Sequence, residues 1–216
     1  MTLHRMVSGY ITDSTLPGII RPAELDLNDT GGLPTSTSHQ VGSVPAASGL
    51  AGVTVVERGD GITHQSVFTL SAVSVTMTDA TTAGCHGSIQ LYDFPQALLN
   101  LAGACMSLTL TAGAGGISDT AAALVGIGTG AVATDNATLV GSGEADIIPS
   151  TAYTLVGGVK AATGVSTTGL LAVSNGTATA KKAYLNIVVP DDDSSASDTF
   201  TVDGTVTITW LHLGDV

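Results

Sequence analysis

Few residues in this chain are of types that do chemistry, and their spacing decides what they could do. Cys85 and His86 are neighbours, a thiol beside an imidazole, the pairing that activates a cysteine nucleophile or begins a metal site. Adjacent residues on a strand point to opposite faces, so this pair is not expected to share a site. Glu144 and Asp146 would share one face of a strand and could hold a cation or divide acid and base roles. No further acid, histidine or aromatic platform stands near them in sequence, so solvated loop acids are the favoured reading. Asp191, Asp192 and Asp193 lie in PDDDSSASD, which lacks the spaced oxygens and glycine of a calcium loop and reads as a charged turn. Arg58-Gly59-Asp60 reads as a turn after a strand and not as an integrin ligand. Ala112 to Gly116 (AGAGG) is followed by no Lys-Ser or Lys-Thr, so it reads as a flexible loop and not as a phosphate cradle. His4, His39, His64, His86 and His212 are scattered, with no pair three or four residues apart. No G-x-S-x-G motif occurs. No catalytic, cofactor-binding or metal-ligating residue is assigned, and no enzyme activity is expected.

The elements that would position such groups are strands. From Gly59 to Pro95 the chain reads GDGITHQSVFTLSAVSVTMTDATTAGCHGSIQLYDFP. Phe68, Leu70 and Ala72 alternate with polar residues, as do Val73, Val75 and Met77, giving one buried and one wet face. The phase slips between Ala72 and Val73, which predicts a β-bulge. A turn from Asp79 to Gly87 follows, then a returning strand through Ile89, Leu91 and Asp93. Val53 to Glu57, Met106 to Thr111, Val165 to Val173 and Tyr184 to Val189 are further strand candidates. Leu98 to Leu101 is ambiguous, and Asp119 to Thr129 is a short helix or a strand, its glycines opposing a long helix. Lys181-Lys182 marks an exposed loop. From Thr199 to Leu213, the residues Phe200, Val202, Val206, Ile208 and Trp210 share parity with threonines between them. Unbroken parity through Gly204 predicts one long strand in place of a hairpin at Asp203-Gly204. Core anchors are Phe68, Leu70, Val75, Leu91, Phe200, Val206, Ile208 and Trp210, the last being the largest.

The 216 residues suit one domain, residues 51–216, with an arm over residues 1–50. Four of seven prolines, Pro17, Pro22, Pro34 and Pro45, fall in that arm. Its apolar residues suggest an extended arm that finds a partner surface, with Tyr10, Ile11, Ile19, Ile20 and Leu25 as candidate contacts. Aromatic residues make up 4% and charged residues 11%, so Val, Leu, Ile and Ala must build the core while Thr, Ser and Gly supply surface and turns. A net charge of -12 opposes direct nucleic-acid binding and docking on anionic membranes. No apolar run is long enough to span a membrane, and MTLHRMVSG does not read as a signal peptide, so synthesis in a cytoplasm without export is expected. Asn28, Asn136 and Asn175 match glycosylation sequons, which mean little without export. Cys85 and Cys105 beside small residues read as packing thiols, with a single disulfide the lesser alternative.

The order of phrases GDGITHQSVFTLSAVSVTMTD, GSIQLYDFPQ, LTLTAGAGGISDTAAALVGIGT, EADIIPSTAYTLVGG and DTFTVDGTVTITWLHLGD resembles the capsid auxiliary (decoration or cement) proteins of tailed bacteriophages. The resemblance covers about residues 53 to 215 and rests on phrasing, with no catalytic signature. It implies an all-β, antiparallel β-sandwich, jelly-roll-like, seated on the outer capsid surface as a homotrimer bound to the major capsid protein. It implies a virion protein made in the host cytoplasm, without cofactors.

Three other readings compete. A receptor- or carbohydrate-binding sandwich needs exposed aromatics, and Trp210 and Phe200 are assigned to the core. A hydrolase needs a convergent His/Asp/Glu/Ser set. A major shell protein would be longer, richer in helix and less acidic.

Overall fold

The alternation of apolar and polar residues is realised as strands throughout. The computed structural model describes residues 6–7, 10–11, 51–59, 62–79, 84–113, 122–132, 138–139, 143–154, 159–167, 173–176, 178–190 and 199–213. The strands are β1 (Met6–Val7), β2 (Tyr10–Ile11), β3 (Val53–Gly59), β4 (Thr63–Thr76), β5 (Thr78–Asp79), β6 (Gly84–Asp93) and β7 (Leu98–Ala112). They continue as β8 (Ala122–Gly128), β9 (Ile148–Thr154), β10 (Val159–Thr167), β11 (Val173–Asn175), β12 (Lys182–Pro190) and β13 (Thr199–His212). No helix occurs among the described residues.

All pairings are antiparallel. One sheet runs β10-β7-β13-β4-β3, with β11 also on β7; the other runs β5-β6-β12-β8-β9. The eight long strands from β4 onward follow the jelly-roll order, β4-β13-β7-β10 facing β6-β12-β8-β9. Among these eight strands the order along the chain alternates between sheets at every step but one, β8 to β9. The expected antiparallel, jelly-roll-like β-sandwich is therefore the observed architecture. β1 and β2 form a separate two-stranded pair.

The core lies between the two sheets. Phe68, Leu70, Val75, Leu91, Phe200, Val206, Ile208 and Trp210 are all buried there, at 2% exposure or less. Each such side chain contributes roughly 2–3 kcal/mol by leaving water. Tyr92 meets Phe68 and Phe94 edge to face, and Phe94 meets Trp210 in the same way.

The phase slip in β4 is a bulge. Val202 pairs with Val73 and Gly204 with Leu70, so two residues of β4, Ser71 and Ala72, stand against Asp203. Ala72 takes a left-handed φ of 51°, and its N–H donates to Asp203 Oδ1 at 2.7 Å. Across the bulge β13 stays one strand, inward parity unbroken. Gly204 permits this: its φ is 130°, and a Cβ there would sit 2.1 Å from Ser107 O.

Several boundaries differ from expectation. Leu98 to Leu101 is the first part of β7, and Asp119 to Thr129 contributes strand β8 and no helix among its described residues. The turn after β5 is shorter than expected, because β6 begins at Gly84. The strand expected at Val165 to Val173 lies earlier, at Val159–Thr167, with β11 after it. Arg58 and Gly59 belong to β3 and not to a turn; Asp60 lies outside the described residues. Lys182 opens β12, its Nζ donating to Gln90 Oε1 at 3.2 Å and standing 3.7 Å from Asp93. The helix alternative gives way over 122–128 because β8 lies between β12 and β9, where pairing overrides local preference; Lys182 is drawn into β12 by its pairing with Asp93, while Lys181 stays outside the strand.

Candidate functional site

The most reactive set of side chains is buried between the sheets. Glu57 on β3 and His64 on β4 are 2% and 1% exposed. Tyr92 on β6 donates its hydroxyl to Glu57 Oε2. Glu57 Oε1 lies 2.8 Å from His64 Nδ1. Neither ring nitrogen of His64 makes an aligned hydrogen bond. The imidazole stacks on the Trp210 indole at 4.4 Å and 16°. The indole N–H donates to Ser66 Oγ at 3.0 Å. An acid, an imidazole, a phenol and a serine hydroxyl are the types a hydrolase uses. Here the hydroxyl accepts from tryptophan, and all four groups lie within the packed interior. The arrangement ties the two sheets together, through Tyr92 from one and Glu57 from the other, and presents nothing to a substrate.

A second polar centre is Asn186 on β12, fully buried. Its Nδ2 donates to Gly130 O at 2.8 Å and Glu144 O at 2.7 Å. Its Oδ1 accepts from Ser88 Oγ at 2.6 Å and from the Val132 amide at 3.0 Å. All four hydrogen-bonding positions of the amide are thus used. These bonds hold the β8–β9 connection against the outer face of the smaller sheet, where Val132, Leu139 and Val188 form a minor core. β12 is therefore covered on both faces, as its apolar run YLNIVV suggests. Gly128 is required beneath this strap, because a Cβ there would sit 1.9 Å from Gly143 O.

Glu144 and Asp146 sit in the strap and not on a strand. Asp146 accepts from the Thr129 amide and hydroxyl, both at 2.7 Å. Glu144 is buried, which corrects the expectation of a solvated acid; the strap's folding onto β8 removes it from water. Cys85 is buried and Cys105 exposed, both as free thiols. Cys105 is thus not the packing residue expected, since it lies on the outward side of β7. Cys85 is buried while His86 is only partly so, in keeping with neighbouring strand residues facing opposite ways. Among the described residues no group of three or more His, Cys, Asp or Glu could hold a metal. No helix there is long and apolar enough to cross a membrane. Asp191 to Asp193 and residues 114–116 lie outside the described residues. Of the candidate arm contacts, Tyr10 and Ile11 form β2; Ile19, Ile20 and Leu25 lie outside the described residues.

What remains is a surface. The outward positions of β13 are Thr199, Thr201, Asp203, Thr205, Thr207, Thr209 and Leu211. Beside them stand Thr69, Ser74 and Thr76 on β4, and Ser107, Thr109 and Thr111 on β7. This face carries hydroxyls in register across the strands, with Asp203 its one acid and Arg58 its one base among the described residues of β3, β4, β7 and β13.

Comparison with protein-family models, with curated proteins and with solved structures finds no match to this chain.

Proposed function

We propose that the chain is a non-catalytic structural protein of a tailed-phage virion, decorating and reinforcing the capsid lattice by binding the major capsid protein. The observation that carries this reading is the broad hydroxyl face, nearly free of charge in a chain whose net charge is -12. Such a face suits contact with a neighbouring protein. The interior supports the same reading, because its acid, histidine, tyrosine and asparagine are spent on joining strands. Jelly rolls are used by viral capsid proteins and by lectins, so the topology admits both a virion role and a sugar-binding one. Trp210, Phe68, Phe94, Phe200 and Tyr92 are buried, leaving none of them for sugar stacking. The proposed site of action is the outer capsid surface, after synthesis in the host cytoplasm, with further copies of the chain as second partner. Titration onto heads lacking the protein tests the proposal. Saturable binding is expected; absence of saturable binding refutes it, and specific retention on a glycan array would favour the carbohydrate reading.

A further inference from the structure

We infer that Glu57 and His64 form a one-proton fastening for strand β3, and that acid releases this strand by adding a second proton to the pair. Among the described strands β3 stands at the edge of its sheet and pairs with β4 alone. Its inward Val53 and Val55 are only partly buried, so Glu57 is its deepest side chain. His64 lies opposite Gly59 in register, and a Cβ on Gly59 would sit 3.1 Å from His64 Nδ1, so the backbone of β3 lies directly over the imidazole. Trp210 stacks on the ring, and neither ring nitrogen touches solvent. The titratable groups facing the imidazole are Glu57 from β3, Tyr92 from β6 through its bond to Glu57, and His212 from β13, whose ring centre is 6.5 Å away. Arg58, the next residue of β3, points to the opposite face. With one proton between them, Glu57 and His64 carry no net charge. A second proton makes the pair a net cation, which a packed interior disfavours, and a proton on His212 adds like charge beside it. Once β3 opens, both groups meet water, where a carboxylate is protonated below about pH 4.3 and an imidazole below about pH 6.5. Between these values the open and closed states hold the same number of protons. Below about pH 4.3 the open state holds one more, so opening is favoured up to about tenfold for each further pH unit. Release bares the edge of β4 and the contact between Phe68 and Tyr92. The device depends on the interior alone, whatever the outer faces bind.

Hydrogen exchange of the full chain, read by mass spectrometry from pH 3 to pH 7.5 and corrected for the intrinsic pH dependence of exchange, tests it. Peptides covering β3 are compared with peptides covering β12, and each protein is referred to its own rate at pH 6.5. In the wild type, β3 exchange relative to β12 should stay level from pH 6.5 to about 4.3 and then rise up to about tenfold per pH unit. Glu57→Gln keeps an acceptor for the Tyr92 hydroxyl but removes the acid that shares the proton. Its β3 should therefore begin to open below about pH 6.5, and at pH 5 the rise should be about tenfold or more where the wild type shows none. His64→Phe keeps a ring against Trp210 and leaves His212 in place, and its β3 should show no acid opening. Circular dichroism at pH 6.5 shows that the variants fold, and the wild-type profile tests the inference even where one does not. A wild type whose β3 exchange tracks β12 down to pH 3 overturns the inference. So does a Glu57→Gln variant with the wild-type profile, or a His64→Phe variant that still opens in acid.

Discussion

Replacing Asn186 by leucine keeps the number and branching of side-chain heavy atoms and removes four hydrogen bonds at once. Two of them, to Val132 N–H and Glu144 O, are buried; those to Ser88 and Gly130 are partly so. A buried group stripped of its partner costs about 1–3 kcal/mol, and one that water can reach costs about 0.5. The two buried groups therefore contribute roughly 2–6 kcal/mol and the other two about 1, for a central expectation near 5 kcal/mol. That is a large part of the roughly 5–15 kcal/mol that stabilises an ordinary domain. In urea, with a slope of about 2–3 kcal/mol per molar, the midpoint should fall by about 1.7–2.5 M. Hydrogen exchange at the Val132 amide should accelerate even far below the midpoint, because the strap loses its anchor before the sandwich opens. A loss under about 1 kcal/mol, with Val132 still protected, would refute the reasoning: the strap would then be held by its apolar contacts at Leu139 and Val188 and not by the amide.

Three further outcomes follow from the geometry. Ala72→Gly should stabilise the protein by about 1 kcal/mol or less by relieving a left-handed alanine, and Asp203→Ala should cost about 1 kcal/mol by freeing the Ala72 amide; a double-mutant cycle in denaturant should show the two effects coupled. Gly128→Ala drives a methyl into the Gly143 carbonyl and should cost about 1–3 kcal/mol, read in the same titration, with the smaller sheet's strap displaced. Burial raises the Tyr153 pKa above its ordinary 10.0. The folded state thus holds that proton more tightly than the unfolded chain. Its contribution is complete below about pH 10 and lost as pH rises through the folded value, so Tyr153→Phe should show a shallower alkaline loss of stability.

Strand β13 was legible because every inward position from Phe200 to Trp210 is apolar and every gap is polar. The bulge at Ala72 was legible for the same reason, since a period of two makes a single extra residue visible. The similar slip in β7 was not. Thr209 pairs with Gly103 and Trp210 with Leu101, so Ala102 is the extra residue, and the neighbouring small residues Ala102 to Ala104 hide the change of phase. Leu98 to Leu101 therefore looked detached from Met106 to Thr111. The buried cluster was hidden differently. Glu57 in VTVVERG reads as a wet residue until Tyr92, 35 positions away, is brought against it by the other sheet. Asn186 did leave a signal: one amide inside the apolar run YLNIVV implies buried partners. Glycines 126 and 128 argued against a helix, but their cause, the strap lying on β8, is a tertiary fact.

A sandwich built from interchangeable Val, Leu and Ile faces a difficulty that burial cannot resolve. A slip of two residues between neighbouring strands keeps every apolar side chain inward and nearly every threonine outward, so the hydrophobic term scarcely distinguishes the registers. Specific groups must forbid the slip. Trp210 N–H reaches Ser66 Oγ in one register of β13 on β4, and Asp203 meets the bulged Ala72 amide in the same one. Tyr92 meets Glu57 only when the sheets are aligned as observed, and Asn186 finds its four partners only with β6, β12 and the strap in place. A slipped strand would leave the interior groups among these, at Trp210, Tyr92, Glu57 and Asn186, buried and unpaired, at about 1–3 kcal/mol each, while the surface Asp203–Ala72 bond adds less. The buried acid, phenol, indole and amide are thus accounted for as register pins, and their chemistry is consumed in giving a nearly featureless aliphatic core one structure.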